Sequence, residues 1–244
     1  MTEVESLRPL VAIAVSAVAV LGIVAAHRRP NVREGVTLVA ATVKFGVVAS
    51  MVPGVLNGTV YVTRLGEVVE GVPLVLRADP LGILFAVLAS FLWIPTSLYS
   101  IGYMRGLDEG NQTRYFASFA GALSATIGIA FASNLVVLFV FYELLTVSTY
   151  PLVAHDESDE ARAAGRKYLA YTFGGGVAVL AGTVLVYTAA GTVTFSAGGI
   201  EGLTGSMGTN IARLAFSLLA GGFAVKAAVM PLHSWLPDAM VAPT

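Results

Sequence analysis

One carboxylate and two amines lie inside long apolar stretches of this sequence, where their charges are costly. Glu143 lies in the middle of the apolar run from Asn134 to Val153, and Lys44 and Lys226 lie within other apolar segments. A charged side chain at the centre of a bilayer costs at least ~2.5–3.5 kcal/mol on insertion scales, and such residues face a partner or a water-filled path. An acid and two bases placed in this way indicate a path for protons or cations.

Glu143 is the first candidate for a proton carrier. It lies about ten residues from either end of its apolar run, close to the expected midplane of the membrane. Removal from water favours the neutral carboxyl, whereas a nearby cation favours the carboxylate. A group balanced in this way can load and release a proton. The alternative is a static ion pair that locks two helices together.

Lys226 precedes two prolines, Pro231 and Pro237, in the same segment. Proline lacks the backbone N–H and clashes with the carbonyl four residues earlier, so we predict that the helix breaks after the lysine and stays irregular to Pro237. Transporters place ion sites at such breaks. His233 lies just past the break and is either the next proton relay or an interfacial histidine beside Trp235 in the aromatic belt.

Lys44 lies too deep in its segment for its side chain to reach water along the membrane surface. It therefore either pairs with an acid inside the bundle or lines water. A structural role and a conducting role are both open.

Two further features precede the Lys226 segment. Ser158 is followed by Asp159 and Glu160, an arrangement that predicts a helix N-terminus capped by the serine. Gly174–Gly176 lies inside that helix and either weakens it or allows close helix contact. The glycines have no Walker lysine after them, so they are no phosphate-binding loop.

The composition places these residues in a membrane protein. The 244 residues are 56% hydrophobic and only 12% charged, with a mean hydropathy of +0.80, whereas soluble domains carry about 25% charged residues. The net charge of −1 and the lack of a basic run argue against nucleic acid. With no cysteine and three scattered histidines, we expect no disulfide, metal site or cofactor.

Long apolar runs without alternation predict an all-α polytopic membrane protein with about seven spanning helices, the last one broken. The predicted spans are Leu7–Ala26, Gly35–Pro53, Pro80–Tyr103, Tyr115–Ser133, Leu135–Ala154, Ala163–Ala190 and Asn210–Met230. Residues 54–79 contain Thr59–Thr63 and Val72–Leu76, which indicate either a short external hairpin or an unstructured loop.

The distribution of basic residues predicts an external N-terminus in a multi-pass protein of the inner, cytoplasmic membrane. With this orientation the cytoplasmic loops contain Arg28, Arg29, Arg33, Arg105, Arg114, Arg162, Arg166 and Lys167. The external segments contain Arg8, Arg64, Arg77 and Arg213.

Four motifs resemble the antiporter-like subunits shared by Mrp-type Na⁺/H⁺ antiporters, respiratory complex I and membrane-bound hydrogenases. They are Phe141–Val153, Ala161–Leu169, Lys226–Met240 and Tyr99–Met104. The first of them is similar to the D-type Mrp subunit. The resemblance implies that Glu143 and Lys226 form a coupled proton-transfer pair.

The same resemblance implies a domain organisation and partners. Residues 1–114 would form an N-terminal three-helix segment with the hairpin, and residues 115–244 the first part of the antiporter-like helix repeat. Family members have further helices, so we expect a truncated or split protein whose partner membrane subunits supply the second half. Its ions would be H⁺ alone or H⁺ together with Na⁺ or K⁺, and the sequence does not distinguish these cases.

Three classes of function compete. The first is a proton-translocating subunit of an antiporter or redox-driven complex, the second a structural membrane subunit with fixed charge pairs, and the third an unrelated small-molecule transporter. The apolar segments contain no set of polar residues suited to a substrate, which disfavours the third class. We find no nucleophile–base pair, so any redox chemistry, such as that of an NADH:quinone oxidoreductase, would belong to partners.

Overall fold

The computed structural model describes residues 1–69, 71–200 and 209–241. The chain folds into two compact units, which are described in turn. The first unit contains Met1–Arg64 and Val75–Ala132, and the second contains Leu65–Leu74 and Ser133–Thr244. Residues 201–208 and 242–244 of the predicted segment 115–244 lie outside the described part of the chain.

The first unit consists mainly of helices. Its elements are β1 (Thr2–Glu5), α1 (Arg8–Ala25), α2 (Pro30–Ala49), α3 (Val52–Leu56), most of the strands β2 (Thr59–Val69) and β3 (Val72–Ala78), α4 (Pro80–Gly106) and α5 (Gln112–Ala130). Prolines lie at the start of α2 and α4. Proline is tolerated there because an N–H in the first turn of a helix has no intrahelical acceptor. Asp79 caps α4 by accepting a hydrogen bond from the Gly82 N–H at 2.8 Å.

Small and aromatic side chains fill the centre of the first unit. Helix α1 packs against α2 and α5, and α4 packs against α2 and α5. The buried cluster consists of Ala19, Ile23, Ala40, Ala41, Trp93, Phe116 and Ala120. The alanines let the helices approach closely around the two large rings, which holds α2 and α4 side by side.

Buried charges connect α2, α4 and α5 at one end of this unit. Arg33 and Glu34 are only 4% and 6% exposed. Glu34 accepts hydrogen bonds from Arg105 of α4, and Arg33 donates to the Gln112 side chain of α5 at 2.7 Å. The charges are thus paired and hydrogen-bonded, as buried charges must be.

A three-stranded sheet of order β1-β2-β3 includes the N-terminus. Strand β1 runs parallel to β2, with Thr2 opposite Thr59. Arg64 contacts Glu3 and Glu5 at 3.2 and 3.0 Å. Strand β1 is not predictable from the sequence, because its acidic residues only acquire partners once β2 lies beside them.

The second unit contains α6 (Leu135–Val153), α7 (Asp159–Ala190), α8 (Thr209–Lys226) and α9 (Trp235–Val241). Asn134 caps α6 by accepting from the Val137 N–H at 2.9 Å. Ser158 caps α7 by accepting from the Ala161 N–H at 3.1 Å, which confirms the predicted N-terminus. Helix α7 packs against α6, α8 and α9 and therefore forms the centre of this unit.

Five helical segments of the described residues are long and apolar enough to cross a membrane, namely Arg8–Ala25, Pro30–Leu56, Pro80–Gly106, Leu135–Val153 and Asp159–Ala190. Some boundaries differ from the predicted ones. Helix α2 begins at Pro30, five residues before the predicted Gly35, because Asn31, Arg33 and Glu34 of its polar first turns bond to neighbouring helices.

Candidate functional site

Lys226 is the last residue of α8 and reaches across to α6. Its Nζ donates to the backbone oxygen of Tyr142 at 2.6 Å and to Thr146 Oγ1 at 2.8 Å. The ammonium also lies 3.7 Å from the centroid of the Tyr142 ring, where the negative face of the ring attracts a cation. Lys226 is therefore held by neutral oxygens and an aromatic ring.

Glu143 follows Tyr142 directly, and its carboxyl group faces α7. Neither carboxyl oxygen is accessible to solvent, and neither has a hydrogen-bond partner within the described residues. The charges of Glu143 and Lys226 interact electrostatically, although the described part of the chain shows no ion pair between them at 4.0 Å or less. A buried carboxyl group without a donor requires an explanation, such as a functional role or a bound water molecule or ion.

Two adjacent glycines of α7 make room for this arrangement. A Cβ atom at Gly176 would overlap the Glu143 carboxyl group. A Cβ atom at Gly175 would lie 2.9 Å from the Val225 Cβ and 3.0 Å from the Gly222 oxygen of α8, which is closer than side chains allow. Close helix contact is therefore the role of these glycines, and the sequence left this role open.

The segment between α8 and α9 contains the first predicted proline break. Helix α8 ends at Lys226 and α9 begins at Trp235, with Pro231 between them. Ala228 has a φ of 51°, a left-handed conformation that is uncommon for a residue with a side chain. The chain therefore turns sharply directly after the lysine.

Pro237 does not break a helix, contrary to the sequence prediction. It is the third residue of α9, and the first turn of a helix accommodates proline because the N–H there needs no intrahelical partner. The predicted irregular stretch thus ends at Trp235, two residues earlier. Trp235 Nε1 donates to the Val225 oxygen at 2.9 Å, which fixes α9 on the end of α8.

His233 lies in the turn, and its Nδ1 is buried without a hydrogen-bond partner in the described residues. The adjacent Ser234 donates to the Tyr171 hydroxyl of α7 at 2.7 Å. The structure thus places His233 in a partly buried position beside a polar contact between the turn and α7.

Hydroxyl groups continue from Lys226 along α6. Thr149 lies one turn beyond Thr146, and its Oγ1 is 2.6 Å from the Tyr168 hydroxyl of α7. Near the same end of α7, Lys167 contacts Asp238 of α9 at 2.8 Å. Side-chain hydroxyl groups both donate and accept hydrogen bonds, so this series is suited to proton transfer. No pattern in the sequence predicts a role for these hydroxyls.

Lys44 belongs to the first unit and is fully buried. Its Nζ donates to Ser16 Oγ at 2.7 Å and to the Leu123 oxygen at 2.9 Å. Of the two predicted alternatives, pairing with an acid is wrong for the described residues, where the hydrogen-bond partners of Lys44 are neutral.

Comparisons with known proteins agree with this architecture. Residues 132–244 match the family described as NADH:quinone oxidoreductase/Mrp antiporter, TM. The chain is 33% identical over 195 residues to an A-type Na(+)/H(+) antiporter subunit of Alkalihalophilus pseudofirmus, a match that covers 75% of this chain and 24% of that protein. It is 29% identical over 215 residues to "Putative antiporter subunit mnhA2" of Staphylococcus haemolyticus, covering 86% of this chain and 26% of that protein.

Two solved structures share the fold. One is from the Mrp complex of Dietzia sp. DQ12-45-1b, with a TM-score of 0.75 and 23% identity over 94% of this chain and 43% of that chain. The other is from the archaeal membrane-bound sulfane sulfur reductase, with a TM-score of 0.80 and 19% identity over 98% of this chain and 48% of that chain.

The fold and the sequence matches define a polytopic membrane protein of the antiporter and complex I type. The part of the chain from residue 132 to residue 244 belongs to the NADH:quinone oxidoreductase/Mrp antiporter family. It spans about a quarter of the length of the two curated relatives named above. The names of both relatives refer to A-type subunits, and the predicted likeness to the D-type subunit remains a prediction.

Proposed function

We propose that this chain is a proton-relaying membrane subunit of a multisubunit cation/proton antiporter or a redox-driven proton pump. The observation that carries the proposal is the Glu143 carboxyl group, which lies buried against Gly176 with no hydrogen-bond donor among the described residues and interacts electrostatically with Lys226. Such a group can accept a proton without breaking an existing hydrogen bond. Lys226 then supplies the second exchangeable proton.

Five further residues extend the proposed relay. The hydroxyls of Thr146, Thr149 and Tyr168 connect Lys226 to the end of α6. His233 receives protons in the turn after α8, and Lys44 exchanges protons within the first unit. The relay moves H⁺, and Na⁺ or K⁺ is the exchanged ion if the complex is an antiporter.

The second candidate function is a structural subunit whose charges form fixed pairs. The contacts of Lys226 with neutral groups favour this alternative to the extent that they hold α6 and α8 together. The two functions differ in what happens when Glu143 loses its charge. A relay would lose transport and keep its assembly, whereas a structural subunit would lose its assembly.

The variant Glu143→Gln tests the proposal in everted membrane vesicles that contain the complex of this chain. Proton transport against an imposed gradient should fall to background, while the amount of assembled complex in the membrane stays unchanged. Glu160→Gln is the matched control, because Glu160 is an exposed carboxylate at the start of α7. Normal transport in Glu143→Gln would overturn the relay, and loss of the complex would support the structural alternative.

We also propose that α5 and α8 cross the membrane, which gives seven spans with an external N-terminus. Helices of 19 and 18 residues rise about 27–29 Å at 1.5 Å per residue, close to the ~30 Å of the hydrocarbon core. The tip of β2 and β3 then forms the external hairpin. In this proposal, residues 1–114 form the N-terminal segment with the hairpin, and residues 115–244 form the first part of the helix repeat.

The absence of cysteine makes this topology directly testable, since single cysteines can be introduced without a background. Glu67→Cys at the hairpin tip should react with a membrane-impermeant maleimide added outside the cell. Asp108→Cys, between α4 and α5, should react only after the membrane is opened. Both positions are exposed, and the reverse pattern would invert the topology.

The proposed location is the cytoplasmic membrane of a prokaryotic cell, because the two curated relatives are antiporter subunits of bacteria. We propose that other membrane subunits pack against this chain, because the two relatives named above are antiporter subunits.

A further inference from the structure

Lys44 is a buried amine whose hydrogen-bond partners among the described residues carry no opposite charge. Its Nζ has two acceptors, Ser16 Oγ and the Leu123 oxygen, but an ammonium group carries three donors. None of the described carboxylates lies within 4.0 Å of it. One N–H and one unbalanced charge therefore remain to be accounted for in the core of the first unit.

Two other polar groups on α4 are also without partners. Trp93 Nε1 and Ser97 Oγ are buried and have no hydrogen-bond partner within the described residues, although the two residues are only 1% and 2% exposed. The Lys44 Nζ lies 5.5 Å from the centroid of the Trp93 ring. Ser97 lies one turn further along α4, on the same face as Trp93.

An unpaired buried donor costs about 1–3 kcal/mol. Two unpaired polar groups on α4, close to an amine of α2 that has one N–H left over, therefore require an explanation. The indole N–H only donates, the ammonium only donates, and the hydroxyl can accept. A ligand that accepts two hydrogen bonds and donates one satisfies all three groups. Water has this property, and buried waters make about three hydrogen bonds.

We propose that Lys44, Trp93 and Ser97 form a binding site for one or two internal water molecules in the core of the first unit. Water accepts from the indole N–H and from the ammonium, and donates to the Ser97 hydroxyl. It also solvates the charge that no described acid balances. The idea that bound water lets Lys44 exchange its proton rests on the proposed function. The binding of water itself does not depend on that function.

The two tryptophans of the chain provide the measurement. Trp235 Nε1 donates to a protein oxygen, whereas Trp93 Nε1 has no partner in the described protein, so each reports on a different situation. In the full chain labelled with ¹⁵N-tryptophan in lipid nanodiscs, Trp235→Phe assigns the two indole signals. The Trp93 N–H should show a cross-peak to water, and the Trp235 N–H should not.

Serine variants of α4 locate the water. Ser97→Ala should weaken or abolish the cross-peak, whereas Ser90→Ala should leave it intact, because the buried Ser90 hydroxyl already donates to the Ala86 oxygen at 2.6 Å. Lys44→Met should abolish it as well. The Trp93 signal itself verifies that each variant retains the fold around α4.

Three results would overturn the proposal. The first is a Trp93 N–H without a water cross-peak in the unmodified chain. The second is an equal loss of the cross-peak in Ser90→Ala and Ser97→Ala. The third is a shift of the Trp93 signal when chloride in the buffer is replaced by gluconate, which would assign the site to an anion. Proton transport is not measured here, so this test can fail while the Glu143 test succeeds.

Discussion

The two buried lysines of this chain occupy opposite structural situations. Lys226 is the last residue of α8, directly before a turn with a left-handed residue, and its charge interacts with that of Glu143. Lys44 lies inside α2, which continues for five residues to Ala49, and its hydrogen-bond partners in the described residues are neutral.

We infer from this difference that the role of a buried lysine depends on its backbone and on its neighbours. In the proposed relay, the backbone at a helix end can adjust as the proton moves, and a nearby acid exchanges charge with the amine. Inside a regular helix the backbone is fixed, and in the proposed relay only water can exchange a proton with the amine. We therefore expect Lys226 to be essential for transport and Lys44 to modulate it.

The largest expected effect separates the two lysines directly. Lys226→Met should reduce proton transport in everted vesicles to background, because the acid loses its electrostatic partner and the relay loses an exchangeable proton. Lys44→Met should reduce transport only in part. Equal transport in the two variants, measured at equal amounts of assembled complex, would contradict the distinction.

The next effect concerns the space around Glu143. Gly176→Ala inserts a methyl group where the carboxyl group lies, and overpacking of this kind costs about 1–3 kcal/mol. We expect a strong loss of transport and a lower thermal midpoint. Gly174→Ala is the matched control two residues away on the same helix, since a Cβ atom there meets nothing within 4 Å. A similar loss in both variants would show that helix flexibility, and not room for Glu143, is what matters.

A smaller effect should follow from removing one acceptor of Lys226. Thr146→Val keeps the shape of the side chain and deletes a hydrogen bond to a charged group, worth about 1.5–3 kcal/mol. Transport should fall several-fold while the complex still assembles. Thr183→Val is the control, because the equally buried Thr183 hydroxyl donates to the Val179 oxygen of its own helix; a loss in this control alone would refute the assignment.

The smallest effect is on the stability of the first unit. Lys44→Met removes a charge that costs ~2.5–3.5 kcal/mol on insertion scales and gives up two hydrogen bonds of a charged donor, worth about 1.5–3 kcal/mol each. The lost hydrogen bonds to α1 and α5 slightly outweigh the removed charge, so the melting temperature should fall by a small amount. A higher melting temperature in Lys44→Met would mean that the buried charge costs the fold more than these two hydrogen bonds contribute.

The sequence alone identified the two lysines and the acid, because a charge in a long apolar run is visible without a structure. It also predicted the start of α7 from Ser158, since capping depends on residues that are close along the chain. The room that Gly176 gives to Glu143 was not predictable, because 33 residues separate them and their contact depends on how α6 packs against α7.

Pro237 illustrates the same limit in the opposite direction. A proline near the end of an apolar segment predicts irregular backbone by local rules, but Trp235 packs against Tyr168 of α7 with ring centroids 5.3 Å apart. This tertiary contact starts a new helix two residues before the proline. Likewise, the neutral hydrogen-bond partners of Lys44 belong to α1 and α5, and no local sequence pattern predicts them.

The central claim, that Glu143 and Lys226 act as one coupled proton site, is tested most directly by infrared spectroscopy of the complex in membranes. The absorption band of a protonated carboxyl group should be lost in Glu143→Gln. The pH range over which this band disappears should move in Lys226→Met and stay in place in Lys44→Met. A band that titrates identically in Lys226→Met and the unmodified protein would contradict the coupling.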